Sequence, residues 1–572
     1  MDKLQFLVLY RQFLFRMVDL EILSAQAQGD MGKLFGQFAS LMISVSVLFS
    51  IMGLSSSGSR FPPLPRVLFQ WTFEHFMITV TMLVAGIFAL LSWDTTFPDK
   101  RDVMALGPLP IRPRTLFWAK IAGVALALGL AVVTLHSLCS FTFIGGLRSQ
   151  PAIVFAGQSI PQLGGLIGFI RTAAAYWIVM FAAAAFIFGC VLTVQGIAAL
   201  ILPRALYLRA SSALQLTAFC VMVCGALLEP TEANTRSIAA AQGNGLAGWQ
   251  FTFWFLGLFQ QIKGSPALAV LAHRAWLGLA SITLLTAAVY SIAYFRMLRK
   301  IIEEPDILPS TRGLHWLPSF GNAFQTAIGQ FSIHSLLRSR QHRMILAFYL
   351  GIAFAANVLL LRMPVTRARA SSWTIVGSPL IATTILSMLV AVVGMRIAFA
   401  MPLDLKANWI FRIAPVRGGI DCLRARRRAM LACGLFPVWF ASAALLFLIW
   451  PWRAAAAHLI IVGLLGGITA EICLLGFQKI PFTCSYLPGK TNIHVTFLFS
   501  VLIMLQLLAF CAGLERQAID RPLTCTALVA GLAVALYILR KLTKDNTDAD
   551  DIGIQFEDEG SPAIQTLGLA RL

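Results

Sequence analysis

The sequence predicts an all-α, polytopic helical membrane protein with about twelve transmembrane helices in two six-helix halves. Three observations carry that prediction. The 572 residues are 58% hydrophobic and only 12% charged, with 42 Phe and 13 Trp, more apolar surface than a water-soluble chain of this length hides. The apolar residues gather into runs of roughly 18 to 28, which at about 1.5 Å per residue cross a hydrocarbon core of roughly 30 Å. Two polar loops also repeat one punctuation. Asp99-x-Arg101 followed by Pro110-Ile111-Arg112 matches Asp404-x-Lys406 followed by Pro415-Val416-Arg417, with corresponding positions 305 residues apart.

Twelve spans are expected, at about 35–54, 70–93, 121–145, 173–201, 214–229, 276–295, 344–361, 374–398, 431–450, 455–476, 494–513 and 522–539. They are too long and too uniformly apolar for the alternating strands of about ten residues that build a membrane barrel. Helices satisfy every backbone polar group within the segment, which the bilayer interior demands. The organisation read from these spans is residues 1–34 as an interfacial N-terminal helix, then 35–296 as a first half with its loop at 97–120. A cytosolic connector at 297–343, a second half at 344–540 with its loop at 402–428, and an acidic cytosolic tail at 541–572 complete it.

Residues 4–15 are apolar and aromatic, but Arg11 and Arg16 interrupt the run and no small-residue cleavage site follows. Leu4, Leu7, Phe13 and Leu14 share a face apart from Arg11, Gln12 and Arg16, the pattern of a helix lying in the membrane interface. Most of the 45 Lys and Arg fall in loops on one side, with Arg424, Arg426, Arg427 and Arg428 the densest group. The positive-inside rule therefore places both termini in the cytosol of a plasma-membrane protein. Topology and anionic lipid headgroups account for the net charge of +20, and no aromatic platform accompanies it to suggest nucleic acid.

Ten cysteines are scattered, mostly within spans, without metal-ligand spacing, so neither zinc nor a required disulfide is expected. No catalytic set stands out. Glu74 and His75 are adjacent, and neighbouring helix positions point about 100° apart. A membrane-embedded enzyme is the least favoured class.

Each repeated loop reads as a short helix. In the first, Asp99 is the N-cap, Asp102 favours the helix N-terminus, and Gly107-Pro108 ends the helix before Pro113 opens the next. In the second, Asp404 caps a helix through Trp409 and Phe411 that Pro415 ends. Large apolar residues on such a helix need either the protein's own bundle or a partner's groove.

The run Phe97–Lys120, FPDKRDVMALGPLPIRPRTLFWAK, resembles the loop between the second and third spans of type-2 ABC exporter permeases. So do the six-span half, the interfacial N-terminal helix and the segment Trp249–Gly264, WQFTFWFLGLFQQIKG, which corresponds to short re-entrant helices before the sixth span. The resemblance covers most of the first half and, more weakly, the second. It implies that the loop helices couple to two cytosolic ABC ATPase subunits. Asp99, Arg101, Met104 and Leu106 would bind one of them, and Asp404, Lys406, Trp409 and Phe411 the other. A single chain would then supply both transmembrane halves. No ATP site is expected on this chain, because Gly489-Lys490-Thr491 lacks the glycine five positions upstream, where Cys484 stands. ATP and Mg would belong to the partner.

An ion-coupled carrier of major-facilitator-like architecture is the alternative. Such carriers place ionisable residues deep in their helices, and the candidate substrate or coupling residues here are few: Glu471 and His136, with Glu74, His75 and Glu229 nearer span ends.

Overall fold

The computed structural model divides the chain into two compact units, Met1–Pro309 and Ser310–Leu572. It describes residues 3–18, isolated positions between 39 and 50, 63–98, 100–106, 108–146, 153–155, 158–160, 165–228, 235–243, 245–303, 321–362, 378–400, 420–475, 477, 480–482, 506–518 and 521–549. Among the described residues the architecture is helical, with a single two-stranded antiparallel ribbon, β1 (Ile153–Phe155) and β2 (Gln158–Ile160), in register Ile153 to Ile160.

Among the described residues nine helices are long and apolar enough to cross a membrane. They are Val67–Leu91, Pro113–His136, Gly165–Ile201, Ala210–Leu228, Ala269–Ile301, Pro379–Phe399, Ile420–Ile449, Trp452–Leu474 and Pro522–Asp545, with a shorter apolar helix at Ile345–Leu361. The protein is therefore multi-pass by the length and composition of its helices. The expected spans at 35–54 and 494–513 fall largely outside the described residues, and the one at 344–361 is the shorter helix, so nine stands where about twelve were expected.

The first unit begins with α1 (Lys3–Val18), which carries two apolar faces. Leu9, Phe13 and Leu14 are buried, while Leu4, Leu7 and Val8 are exposed. The inner face lies on α5 (Pro113–His136), where Gly123 lets the backbones approach: a Cβ there would stand 3.2 Å from the Leu14 amide nitrogen. Around α7 (Gly165–Ile201) pack α2 (Pro63–Leu91), α5, α8 (Arg204–Leu228) and α11 (Ala269–Glu303). Between α2 and α5 lie the short α3 (Trp93–Thr96) and α4 (Lys100–Leu106), and after α5 comes α6 (Cys139–Gly146).

The core of this unit is organised by α10 (Phe251–Lys263), which follows α9 (Thr235–Gln242). Phe253, Phe255, Leu256, Leu258 and Phe259 of this one helix are completely buried in the largest apolar cluster. Gly264 ends it in the left-handed region at φ 93°, while the amides of Gly264 and Ser265 return to the carbonyls of Gln261 and Gln260, each at 2.9 Å. Gly257 is the point of closest approach to α11, since a Cβ there would lie 2.5 Å from Leu271 Cβ.

The second unit opens with α12 (Ala323–Arg338), capped where the Asn322 side chain accepts from the Gln325 amide at 2.8 Å. Then follow α13 (Arg340–Arg362), α14 (Ser378–Phe399), α15 (Ile420–Ile449) and α16 (Trp452–Leu474). A helix over 506–518 and α17 (Pro522–Ala549) complete the unit. A π-turn at Leu431–Leu435 interrupts α15 where it crosses α14 and α16. Gly466 of α16 meets Leu435 and Met388 there, its hypothetical Cβ less than 3.0 Å from both.

Candidate functional site

The first repeated loop is built at the C-terminal end of α2. The helix breaks after Leu91, where the Ser92 hydroxyl donates back to the Phe88 carbonyl at 2.8 Å. Phe97 takes an extended backbone, as the residue before Pro98 must. A helix that ends this way leaves carbonyls without amide partners. Four buried side chains from four helices donate to them. Gln215 of α8 reaches the Leu90 carbonyl at 2.6 Å, Gln195 of α7 the Trp93 carbonyl at 2.6 Å, Tyr290 of α11 the Thr96 carbonyl at 2.7 Å, and Lys120 of α5 the Phe97 carbonyl at 2.6 Å. Trp93 itself donates to the Ser211 hydroxyl at 2.9 Å. The loop's root is thus tied to every long helix around it.

From that root, α4 covers the residues expected to be helical. Asp102 lies in its first turn and stands 3.5 Å from the Lys120 ammonium, which also sits 5.3 Å from the centre of the Phe13 ring. Leu106 is partly buried against the cluster of Leu9, Phe13 and Ala119 and so packs on the chain's own α1 and α5. Met104 is 68% exposed and faces away from the protein. Arg101 lies on α4 with its side chain outside what is described, and Asp99 is outside the described residues altogether. The second loop's Asp404, Lys406, Trp409 and Phe411 also lie outside them.

The buried ionisable groups occupy separate places. His136 sits between Thr81, 2.8 Å from its Nε2, and Tyr176, whose hydroxyl is 2.6 Å from its Nδ1, so both ring nitrogens are engaged. Glu471 is 1% exposed and clamped by Arg427, with Nε 2.5 Å from Oε1 and Nη2 2.8 Å from Oε2; Arg540 of α17 adds a contact at 3.4 Å. This joins α15, α16 and α17 at one end. Glu74 and His75, neighbours on α2, serve different partners. Glu74 pairs with Lys263 of α10 at 2.9 Å and accepts from Gln260, while His75 meets the Thr252 hydroxyl at 2.9 Å.

No family model, curated protein or solved structure matches this sequence.

Two groups escaped the sequence reading. Lys263 and Gln260 lie in a segment read only as an aromatic re-entrant helix, and nothing local marks them as partners of Glu74, 189 and 186 positions away. His458 and Glu515 are both fully buried and in contact, with Thr384 2.6 Å from the other imidazole nitrogen. Their signal was an ionisable residue inside each of two apolar runs, obscured because the expected span boundary put Glu515 in a loop. Among the described residues no group of three or more His, Cys, Asp or Glu is arranged to hold a metal ion.

Proposed function

We propose that this chain is the membrane-spanning subunit of an ATP-driven exporter of the type-2 ABC kind, with two fused halves. Two copies of a separate cytosolic ATPase would hydrolyse ATP and dock on the loop helices at 97–120 and 402–428. The observation that carries the reading is the construction around α4: a short helix with Met104 exposed, whose root is held by Gln215, Gln195, Tyr290 and Lys120 from four long helices. A displacement of α4 cannot occur without moving the groups that hold it. Force delivered there by a partner therefore biases the whole helical unit between alternative packings. In this reading the loops and both termini are cytosolic, lipid surrounds the exposed apolar helix faces, and the chain performs no hydrolysis itself. A path lined by the Phe, Leu and Ala that dominate these helices would suit an amphipathic or lipid-like cargo.

Purification of the full tagged chain in mild detergent from its host tests this. A soluble ATPase should co-purify in stoichiometric amount and be lost from the Met104→Asp, Trp409→Asp double variant, while membrane insertion is retained. Met104 is a cleaner probe than Leu106, because Leu106 also contributes to packing against α1. A chain that purifies alone, or a partner indifferent to both substitutions, would refute the proposal.

One observation favours the ion-coupled alternative: the buried contact of His458 with Glu515 puts a titratable pair inside the second unit. Uptake into vesicles driven by a proton gradient without ATP would establish that reading instead.

A further inference from the structure

Among the described residues three glutamates are buried: Glu74, Glu471 and Glu515. Two of them face basic side chains, Lys263 for Glu74, and Arg427 with Arg540 for Glu471. Glu515 differs. Its Oε1 meets Nδ1 of His458, and its Oε2 is buried without a hydrogen-bond partner. Among the described residues the other ionisable groups of the surrounding elements have other surroundings. Arg516 and Arg521 are exposed, and Arg453 lies 5.5 Å from the ring of Trp452. Arg396 of α14 donates to the Cys473 carbonyl, and Arg427 and Arg540 are engaged at the other end of α16. The described groups that remain near the pair are Thr384 of α14, the Trp450 ring 5.6 Å from the imidazole, Cys511 one turn away on the helix of Glu515, and the partly buried Cys525 of α17.

An ionised carboxylate enclosed in this way, with one oxygen unsatisfied, is strongly disfavoured unless a positive charge accompanies it. Among the described residues the sole source at hand is a proton on the pair, whether written as imidazolium with carboxylate or as imidazole with carboxylic acid. Thr384 fixes which proton this is. Its hydroxyl lies 2.9 Å from the Leu380 carbonyl one turn back, and when it donates there its oxygen accepts from Nε2–H of His458 at 2.6 Å. The dissociable proton is then the one between Nδ1 and Oε1.

The first unit contains an internal comparison. His136 is likewise held by a threonine, Thr81, which donates to the Met77 carbonyl at 2.6 Å. Its other nitrogen meets the Tyr176 hydroxyl at 2.6 Å, and that phenol satisfies it with no charge and no added proton. A carboxyl in the place of a phenol turns a neutral structural contact into one that needs a proton.

We propose that Thr384, His458 and Glu515 form a proton-binding site in the second unit. One proton held between His458 Nδ1 and Glu515 Oε1 keeps the helix over 506–518 seated against α16. Its release to water leaves one uncompensated buried negative charge and loosens that contact. This holds whether or not the chain couples to an ATPase.

The test is solid-state nitrogen NMR of the full chain, labelled with ¹⁵N-histidine, in phosphatidylcholine vesicles. His458 is assigned by difference against His458→Gln and His136 against His136→Gln. At neutral pH, Nε2 of His458 should carry a proton and Nδ1 should share or carry a second. Glu515→Gln, whose amide donates to Nδ1 without needing the extra proton, should convert Nδ1 to a bare acceptor while Nε2–H persists. His136 should stay a neutral imidazole throughout. Raising the pH of the unaltered chain should strip Nδ1 and at the same pH speed maleimide labelling of Cys511. If Glu515→Gln does not fold, this titration alone decides. A bare Nε2 with Nδ1–H donated to an ionised Glu515 at neutral pH, an Nδ1 signal indifferent to Glu515→Gln, or Cys511 labelling that ignores the titration would overturn the proposal.

Discussion

Replacing Lys263 with Met should open the first unit, and the structure gives the size of the effect. The Lys263 and Glu74 side chains are 1% and 0% exposed and lie 2.9 Å apart, with Gln260 the carboxylate's other donor. Loss of the ammonium strands a buried carboxylate, which typically costs about 3–5 kcal/mol. Removing the charge as well, in Glu74→Gln with Lys263→Met, leaves amides that can bond to one another, so most of the loss should return and about 1 kcal/mol remain. Cys139 is a native reporter of this unit: it is 1% exposed and lies in the same apolar cluster as Phe73, Met77 and Phe259. Its maleimide modification in detergent, followed by mass spectrometry of its own peptide, tracks the open population. At about 1.4 kcal/mol per tenfold, Lys263→Met should accelerate it roughly a hundred-fold to a few thousand-fold, and the double variant by roughly ten-fold or less. An acceleration below about ten-fold for Lys263→Met, or no recovery in the double variant, would refute the claim that this ion pair holds α10 against α2.

Gly257→Ala should destabilise the first unit by about 1–3 kcal/mol, because the new Cβ would meet the Leu271 Cβ at 2.5 Å and the Ala272 nitrogen at 2.6 Å, a contact only backbone movement relieves. Thermal unfolding of the purified protein measures it, and an unchanged transition counts against the α10–α11 approach. Tyr290→Phe removes the donor to the Thr96 carbonyl, a loss of about 1–2 kcal/mol, and should raise hydrogen exchange across residues 93–106 roughly five- to thirty-fold while leaving the middle of α7 unmoved. Uniform change across the unit would mean that the root of α4 is not held separately. Met104→Asp with Trp409→Asp should release the ATPase partner, and Glu515→Gln should strip the proton from His458 Nδ1, each by the measurement described above.

The sequence by itself determined the class of this protein and much of its local punctuation. Long apolar runs can satisfy their backbones in a membrane only as helices, and nine such helices stand among the described residues. Proline and glycine fixed short-range geometry in the same direct way. Pro98 made Phe97 extended, Pro113 opened α5, and the segment Trp249–Gly264 yielded a helix ending at Gly264. These are decisions made within a few residues, by sterics and backbone hydrogen bonding. The tertiary structure decided which polar groups meet. That Leu106 faces inward and Met104 outward depends on where α1 lies. That Glu74 belongs to Lys263, Glu471 to Arg427, and Glu515 to His458 depends on residues on separate helices being packed together. No periodicity encodes such pairings, because a buried charge is tolerable only beside a specific partner, and the partner's position is set by the packing of the whole unit.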